Sequence, residues 1–494
     1  FAALSRPADV DEGFHLVCGK SIFGEGRHPY LDFFFFQMPL LPYVYGGVMK
    51  LFGYNWTVAR LLCSLLASAT GALLCAYAFE RTKSKSLATF FALIYCHAPY
   101  VFIWFTCART HALSTFLLMI SICLLPPLAR CASTLSYIIS GFFLGLSVDT
   151  RLYFLVLVPV LAFHVSRVEK GRGARMVGFF VMGVAASLMV NAPFLIADPQ
   201  RYLLNVIGYH AIKTSGGLVG YFGQKIDVLA QTFLDYPAMR PTLYLGYVVV
   251  FLVYPVIRIL RRSPLAEWNP AWYAAGTLFV VSLLPTPTLG QYFSVPAPFF
   301  MLVAVDVLSA IMDYARSPLA RKAITVGIAL GTVFFVYVGS GRLSFYILQG
   351  NNLEGSMPTE GGKQDWNLEN VREVSKAIDK LVAADTPVFS LWPGYLLESH
   401  VEIMPKTENV TLLEIEEMVP KQIYALSQTV SDAEIREDIS TRKIALFVYG
   451  NSIAPHVQEY KSLLIENGYT VAQKIGGISL FLSPEHPARD EPEQ

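Results

Sequence analysis

Long apolar runs, separated by short polar loops, fill the first 340 residues. A membrane-spanning helix needs about 20 mostly apolar residues, fewer where protein shields its ends. Candidate spans fall at roughly 57–79, 87–106, 111–127, 134–148, 152–166, 176–196, 241–259, 270–286, 294–312 and 322–340. With short or merging runs allowed for, the pattern predicts a polytopic α-helical membrane protein of roughly 10–12 transmembrane helices. After about residue 345 the periodicity changes. Val371, Val374, Ile378 and Leu381 recur at helical spacing with charges between them. Short β-rich runs follow at 387–392, 444–449, 469–473 and 478–482, separated by helical stretches at about 411–426 and 454–467. The chain is therefore divided into a transmembrane part, 1–344, and an α/β domain, 345–494.

Charge supports that division. Overall, 54% of the residues are apolar and 15% charged, against about 25% charged in an ordinary soluble domain. The net charge of +1 hides an asymmetry, since residues 341–494 hold 13 basic and 23 acidic groups and the rest hold 25 and 14. A soluble single-core enzyme, a disordered chain and a disulfide scaffold are all poor fits, and neither part has a nucleic-acid footprint. All seven cysteines lie at or before Cys131, without metal-ligand spacing. The chain opens on Phe1, and residues 1–5 read as the end of a first membrane helix.

Basic residues set the expected orientation, because loops rich in Lys and Arg stay cytoplasmic. Arg81/Lys83/Lys85, Arg130, Arg167/Lys170/Arg172/Arg175, Arg258/Arg261/Arg262 and Arg316/Arg321/Lys322 occupy alternate loops, whereas the opposite short turns carry only Arg109 and Arg151. Residues 6–56, the long loop 197–240 and the α/β domain then face outward. Within the first outer loop, residues 33–52 are very apolar but interrupted by Pro39, Pro42 and Gly46/Gly47, which favours helices lying at the interface over a further span.

This loop also carries the densest chemistry. Asp9, Asp11 and Glu12 place three carboxylates beside a membrane boundary, where they must be hydrated or paired. Adjacent acids raise one another's pKa, which suits a general base or a cation site. Asp32 adds a fourth acid. Cations and donors on the outer side are few: Arg109, His111, Arg151, Arg201, Tyr209, His210, Lys213, Lys225, Gln291 and Tyr292. No glycine-rich nucleotide loop or nucleophile elbow is present in the sequence.

The arrangement Asp11-Glu12-Gly13, Gly19, Gly26-Arg27-His28-Pro29-Tyr30-Leu31-Asp32, Gln37, Pro39, Pro42-Tyr43, Lys50-Leu51-Phe52-Gly53 and Arg60 resembles the first outer loop of C-type membrane glycosyltransferases. It is most similar to the branch of bacterial lipid A and core galacturonosyltransferases, with aminoarabinose lipid A transferases and protein O-mannosyltransferases more distant. Met38-Pro39 stands where that family often has Pro-Pro. The resemblance implies an inverting transfer of a monosaccharide from a polyprenyl-phosphate donor to a hydroxyl of an envelope acceptor, which could be lipid A, a glycan, a lipid or a protein. It implies Asp11 as general base with Glu12 beside it, Asp32 as a second loop acid, and a bacterial inner membrane. The remaining outer cations and donors are candidates for the donor phosphate and substrate. A divalent cation on Asp9, Asp11 and Asp32 is possible. The rival reading is a transporter or flippase of lipid-linked glycans, but no inverted repeat is visible and the acids lie outside the midplane.

Overall fold

A computed structural model describes residues 2–129, 133–169, 171–212, 218–235, 240–241, 243–285, 287–315, 317–349, 365–450 and 457–486. Arg130, Cys131, Lys170, Lys213 and Arg316 fall outside that set. The architecture is a polytopic helical membrane protein with a C-terminal α/β domain. Among the described residues, four helices are long and apolar enough to cross a membrane: Trp56–Thr82, Gly173–Ala197, Gly290–Tyr314 and Pro318–Tyr337. Between them stand shorter apolar helices, Leu40–Phe52, Thr110–Cys123, Thr134–Val148, Leu152–Val168, Tyr244–Leu260 and Pro270–Val281. Their outer faces leave Leu65, Ile259, Val333 and Phe334 exposed, a surface suited to lipid rather than water.

Each apolar run yields helix, and the deviations have local causes. The run 87–106 is split into Lys85–His97 and Pro99–Trp104. Pro99 has no N–H and crowds Ala98 into an extended conformation, φ −67° and ψ 119°. The helices Thr134–Val148 and Gly173–Leu188 touch backbone to backbone. A side chain at Gly141 or Gly145 would strike Phe180 O, Val184 O or Ser187, so the Gly-x-x-x-Gly spacing is what lets them meet. Ser140 Oγ donates to Ser121 O at 2.8 Å and Ser147 Oγ to Ser114 O at 2.9 Å, tying the same helix to Thr110–Cys123.

The segment 6–56 folds into two packed helices, Val10–Lys20 and Leu40–Phe52. They cross where Gly19 meets Gly46; a Cβ on Gly19 would stand 3.0 Å from the Gly46 backbone. Pro42 is tolerated because it sits in the first turn, whose N–H groups have no intrahelical partner.

The C-terminal domain is built on a five-stranded mixed sheet of β1 (Pro387–Ser390), β2 (Glu402–Ile403), β3 (Leu446–Tyr449), β4 (Thr470–Ile475) and β5 (Ile478–Leu482), in the order β2-β1-β3-β5-β4. β1 is parallel to β2 and β3, while β5 is antiparallel to β3 and β4. Leu368–Leu381 packs its Val371, Val374 and Ile378 inward. The short strand β2 and the helix Asp432–Ser440 have no counterpart in the expected pattern.

Ring and polar contacts bind this domain to the segment 6–56. Trp392 stacks on Trp56 with centroids 5.8 Å apart, and its Nε1 donates to Val10 O at 3.0 Å. Lys20 Nζ donates to Leu396 O at 2.6 Å and Ser399 O at 2.7 Å. Arg27 bonds Glu408 at 2.7 Å and Glu402 at 2.8 Å.

Candidate active site

The Val10–Lys20 helix begins at Asp9, which closes a capping box. Asp9 Oδ1 accepts from Asp11 N at 3.1 Å, and Glu12 Oε2 accepts from Asp9 N at 3.3 Å. Helix geometry then sends neighbouring acids in different directions. Glu12 turns into the protein and Asp11 toward a cavity.

Glu12 is sealed. Arg60, itself fully buried, donates through Nε to Glu12 Oε1 at 2.9 Å and through Nη2 to Oε2 at 2.7 Å. The rest of the guanidinium bonds Ala3 O, Arg6 O and Pro7 O at 2.8–2.9 Å, and Ala108 N donates to Glu12 Oε1 at 2.8 Å. Burial alone would raise the Glu12 pKa, but the charge and hydrogen bonds of Arg60 outweigh it and hold the carboxyl below its ordinary value. One ion pair thus fastens residues 3–7, the first helix and the turn at Ala108 together.

Asp11 keeps 27% of its side chain exposed and pairs with Arg109 Nη2. Arg109 Nη1 also reaches Asp9 Oδ2 at 3.3 Å and Gln291 Oε1 at 2.5 Å, and the guanidinium lies 5.5 Å from the Trp104 ring. Burial pushes the Asp9 carboxyl up, against the opposing charges of Arg109 and Arg6.

The cavity has a volume of about 710 Å³. Of the residues singled out in the sequence, Asp11, Arg109, His111, Arg151, Tyr209, His210, Gln291 and Tyr292 all line it. They arrive from five separate chain segments. Arg151 follows the Thr134–Val148 helix and does not pair with nearby Asp149, whose Oδ1 instead accepts from Asn191 Nδ2 at 2.5 Å. Its guanidinium lies over Tyr153 and Tyr292, at 4.8 and 5.4 Å, and its buried Nη1 has no hydrogen-bond partner. Both ring nitrogens of buried His111 also lack a partner. His210 Nε2 donates to Phe36 O at 2.8 Å, and Tyr209 packs on Phe34 and Phe36, so the long loop closes one wall against the aromatic run.

Other sequence candidates stand elsewhere. Asp32 is exposed, and its Oδ2 accepts from His28 N at 2.7 Å, closing a local turn away from the cavity. Arg201 pairs with Asp198 at 3.1 Å and does not line the cavity. Lys225 Nζ reaches Leu283 O, Pro285 O and Thr288 Oγ1, where it fastens the 283–288 turn. Lys213 lies outside the described residues. Asn55-Trp56-Thr57 and Asn409-Val410-Thr411 have the pattern of glycosylation acceptors, but Asn55 caps the Trp56–Thr82 helix through Val58 N and Asn409 is fully buried.

Several lining residues lay outside that reading, among them His15, Thr411 and Glu414. His15 stands one helical turn beyond Asp11 on the same face, a spacing that could have found it. Its Nδ1 has no partner, and burial, with the charge of Arg151 second, lowers its pKa to about 3, so the ring is neutral near pH 7. Thr411 and Glu414 come from the C-terminal domain, 400 residues from Asp11 in sequence, and no local pattern marks them.

As a cation site the acids fit poorly. Asp9 and Asp11 are engaged by Arg109, Asp32 is remote, and among the described residues no three His, Cys, Asp or Glu side chains converge.

Neither a protein-family model nor a curated protein sequence matches the chain. Solved structures do. The chain is similar to ArnT from Cupriavidus metallidurans, in the apo state and bound to undecaprenyl phosphate, each at 14% identity and TM-score 0.61, covering 97% of this chain and 95% of that one. It is also similar to the Archaeoglobus fulgidus oligosaccharyltransferase in complex with Zn and sulfate, at 14% identity and TM-score 0.51, covering 98% of this chain and 70% of that one. At such identities the likeness establishes the fold, and the fold is the one the first outer loop implied.

Proposed function

We propose that the protein is an inverting glycosyltransferase, moving a monosaccharide from a polyprenyl-phosphate donor to a hydroxyl of an envelope acceptor. The observation that carries this reading is the polarity of the cavity. One acid with an open face, Asp11, stands at its edge, while buried Arg151 and His111 offer polar atoms with no protein partner. Buried polar groups are nearly always satisfied, so unsatisfied ones lining a cavity point to a ligand with matching groups. A phosphate bearing an apolar tail suits a membrane-level cavity walled by Met38, Leu152 and Ile207. The fold neighbour bound to undecaprenyl phosphate supports the same donor class.

In this reaction the Asp11 carboxylate takes the proton of the acceptor hydroxyl. The acceptor oxygen forms its bond to the anomeric carbon as the bond from that carbon to the phosphate oxygen breaks, and a single displacement inverts the centre. The electron pair leaves on the phosphate, where Arg151 and the neighbouring donors stabilise the developing charge. Arg109 and Gln291 orient Asp11, while Glu12 acts behind it as a positioning residue. No step is assigned to a metal ion. Residues 1–344 form the transmembrane unit in this reading, and 345–494 an extracytoplasmic domain that completes the cavity through Thr411 and Glu414. The basic loops orient the chain accordingly, with a bacterial inner membrane as its setting.

The test is sugar transfer by purified protein supplied with lipid-linked donors and a cell-envelope acceptor extract, comparing wild type with Asp11→Asn. Transfer that collapses in the variant with donor binding retained supports Asp11 as base. Binding without turnover across a wide donor panel points instead to a carrier of lipid-linked glycans.

A further inference from the structure

A second crevice opens at the other end of the membrane helices. Arg60, which holds Glu12, lies near the start of the Trp56–Thr82 helix; Thr82 lies about 33 Å further along its axis. There, a space of about 680 Å³ separates the Lys85–His97 helix from Pro318–Gln349, with the end of Ala297–Tyr314 as its third wall.

The crevice is divided along its length. Its mouth carries Arg81 and Lys85. Arg81 commits its Nε to Asp306 at 3.0 Å and remains 41% exposed. Lys85 is exposed at the first position of its helix, where Ser84 caps Leu87 N and the first-turn amides are unpaired within the helix. A helix start with two cations beside it attracts a phosphate. One acid, Asp313, also faces the space, but it pairs with Arg261 at 3.4 Å. Further in, the walls turn apolar, with Leu93 on one side and Ile328 and Val333 on the other. Val333 continues into the exposed strip of Leu330 and Phe334 that faces lipid.

Phosphate chemistry at one end and hydrocarbon at the other describe one molecule. We propose that this crevice binds an anionic glycerophospholipid, its phosphodiester against Arg81, Lys85 and the helix start, and an acyl chain along Leu93 and Val333. A zwitterionic headgroup would bring its ammonium beside the same two cations and bind less well. A free phosphate would leave the apolar floor uncovered. The site is independent of the proposed transfer chemistry at the opposite end.

The experiment is native mass spectrometry of the delipidated full chain, titrated with phosphatidylglycerol and with phosphatidylcholine of identical acyl chains. Two surface cations give phosphatidylglycerol an expected preference of about tenfold, for one saturable copy. Lys85→Glu reverses the charge at the mouth while placing an acid where a helix start tolerates it. Ala329→Phe fills the apolar floor from an exposed position. Lys85→Glu is expected to bring the preference close to one, and Ala329→Phe to weaken both lipids several-fold, while the melting temperature stays near that of wild type. No preference in the wild type overturns the proposal, and so does a preference that survives Lys85→Glu or a phosphatidylglycerol affinity that Ala329→Phe leaves unchanged. Competition by inorganic phosphate alone that matches the lipid overturns the assignment to a lipid.

Discussion

Two guanidinium–carboxylate pairs stand at the start of the Val10–Lys20 helix, and their surroundings differ in kind. Arg60 and Glu12 are both fully buried, and the donors of Arg60 all find acceptors on Glu12 or on Ala3, Arg6 and Pro7. Asp11 and Arg109, one residue away, border a cavity where Arg151, His15 and His111 keep polar atoms without partners. The first region is satisfied by protein and holds protein together. In the second the protein leaves room for something else to complete the bonding. The same residue types are therefore sealed in one place and open to a cavity in the other, separated by the direction of one helical residue.

The largest effect should come from the open pair. General-base catalysis contributes about 10²–10⁴-fold, so Asp11→Asn is expected to lower kcat by that much with donor affinity unchanged. Steady-state transfer assays and donor-binding isotherms check both halves. The sealed pair should respond in the opposite currency. Glu12→Gln leaves Arg60 buried without its counter-charge, which costs about 3–5 kcal/mol of stability, read as a large drop in melting temperature. A Glu12→Gln protein that melts like wild type yet does not turn over would break the comparison and move the base to Glu12.

A buried acid outside the cavity extends the contrast to pH. Glu408 holds Arg27 from within the C-terminal domain, and burial lifts its pKa to about 7, with the Arg27 contact opposing. The sign follows from proton binding: between pH 4.5 and 7 the folded state retains a proton that the unfolded state has lost. Stability therefore falls as pH rises through that window, and is highest below it. Glu408→Gln should flatten this limb in melting curves taken from pH 5 to 8. A slope unchanged in the variant would place the titration elsewhere.

Arg151 tests the unsatisfied region directly. Removing Arg60 breaks several buried hydrogen bonds, whereas Arg151 Nη1 makes none with protein. Arg151→Met is thus expected to weaken donor binding by about tenfold, the loss of one charge-assisted contact, at a melting temperature close to wild type. Comparable destabilisation by Arg60→Met and Arg151→Met would erase the distinction between the two regions.

Much of this was legible in the chain itself, and the illegible parts share a cause. Apolar run length located the helices because lipid imposes it, and the turn from runs to alternation at residue 387 exposed the sheet. Scarcity located Arg109 and Arg151, since few outer cations were available to choose from. Sequence could not say that Glu12 faces Arg60 and Asp11 faces the cavity, because that depends on helix rotation fixed by tertiary contacts. Asp32 lies in the same loop as Asp11 yet closes its own turn with His28 N. Thr411 and Glu414 reach the cavity only because Trp392, Lys20 and Arg27 dock two distant parts of the chain.

That docking supplies the finest test. Trp392 Nε1 donates to Val10 O at 3.0 Å, one residue before Asp11, and its ring lies against Gly13, where any added Cβ would stand 2.6 Å from it. The C-terminal domain thus touches the helix start that carries the carboxylate. Trp392→Phe keeps an aromatic ring beneath Trp56 but removes the N–H, at a cost of about 1 kcal/mol. If the bond only adds stability, melting temperature falls slightly and kinetics are unchanged. If it positions Asp11, kcat falls several-fold, up to about tenfold, while donor KM holds, because a misplaced base loses rate rather than binding. Gly13→Ala should produce the same kinetic pattern by pushing from the other side, and a second substitution to a smaller residue at Trp392 should restore part of the lost rate. A Gly13→Ala protein with wild-type kcat would leave the C-terminal domain as a wall of the cavity, with no hold on the base.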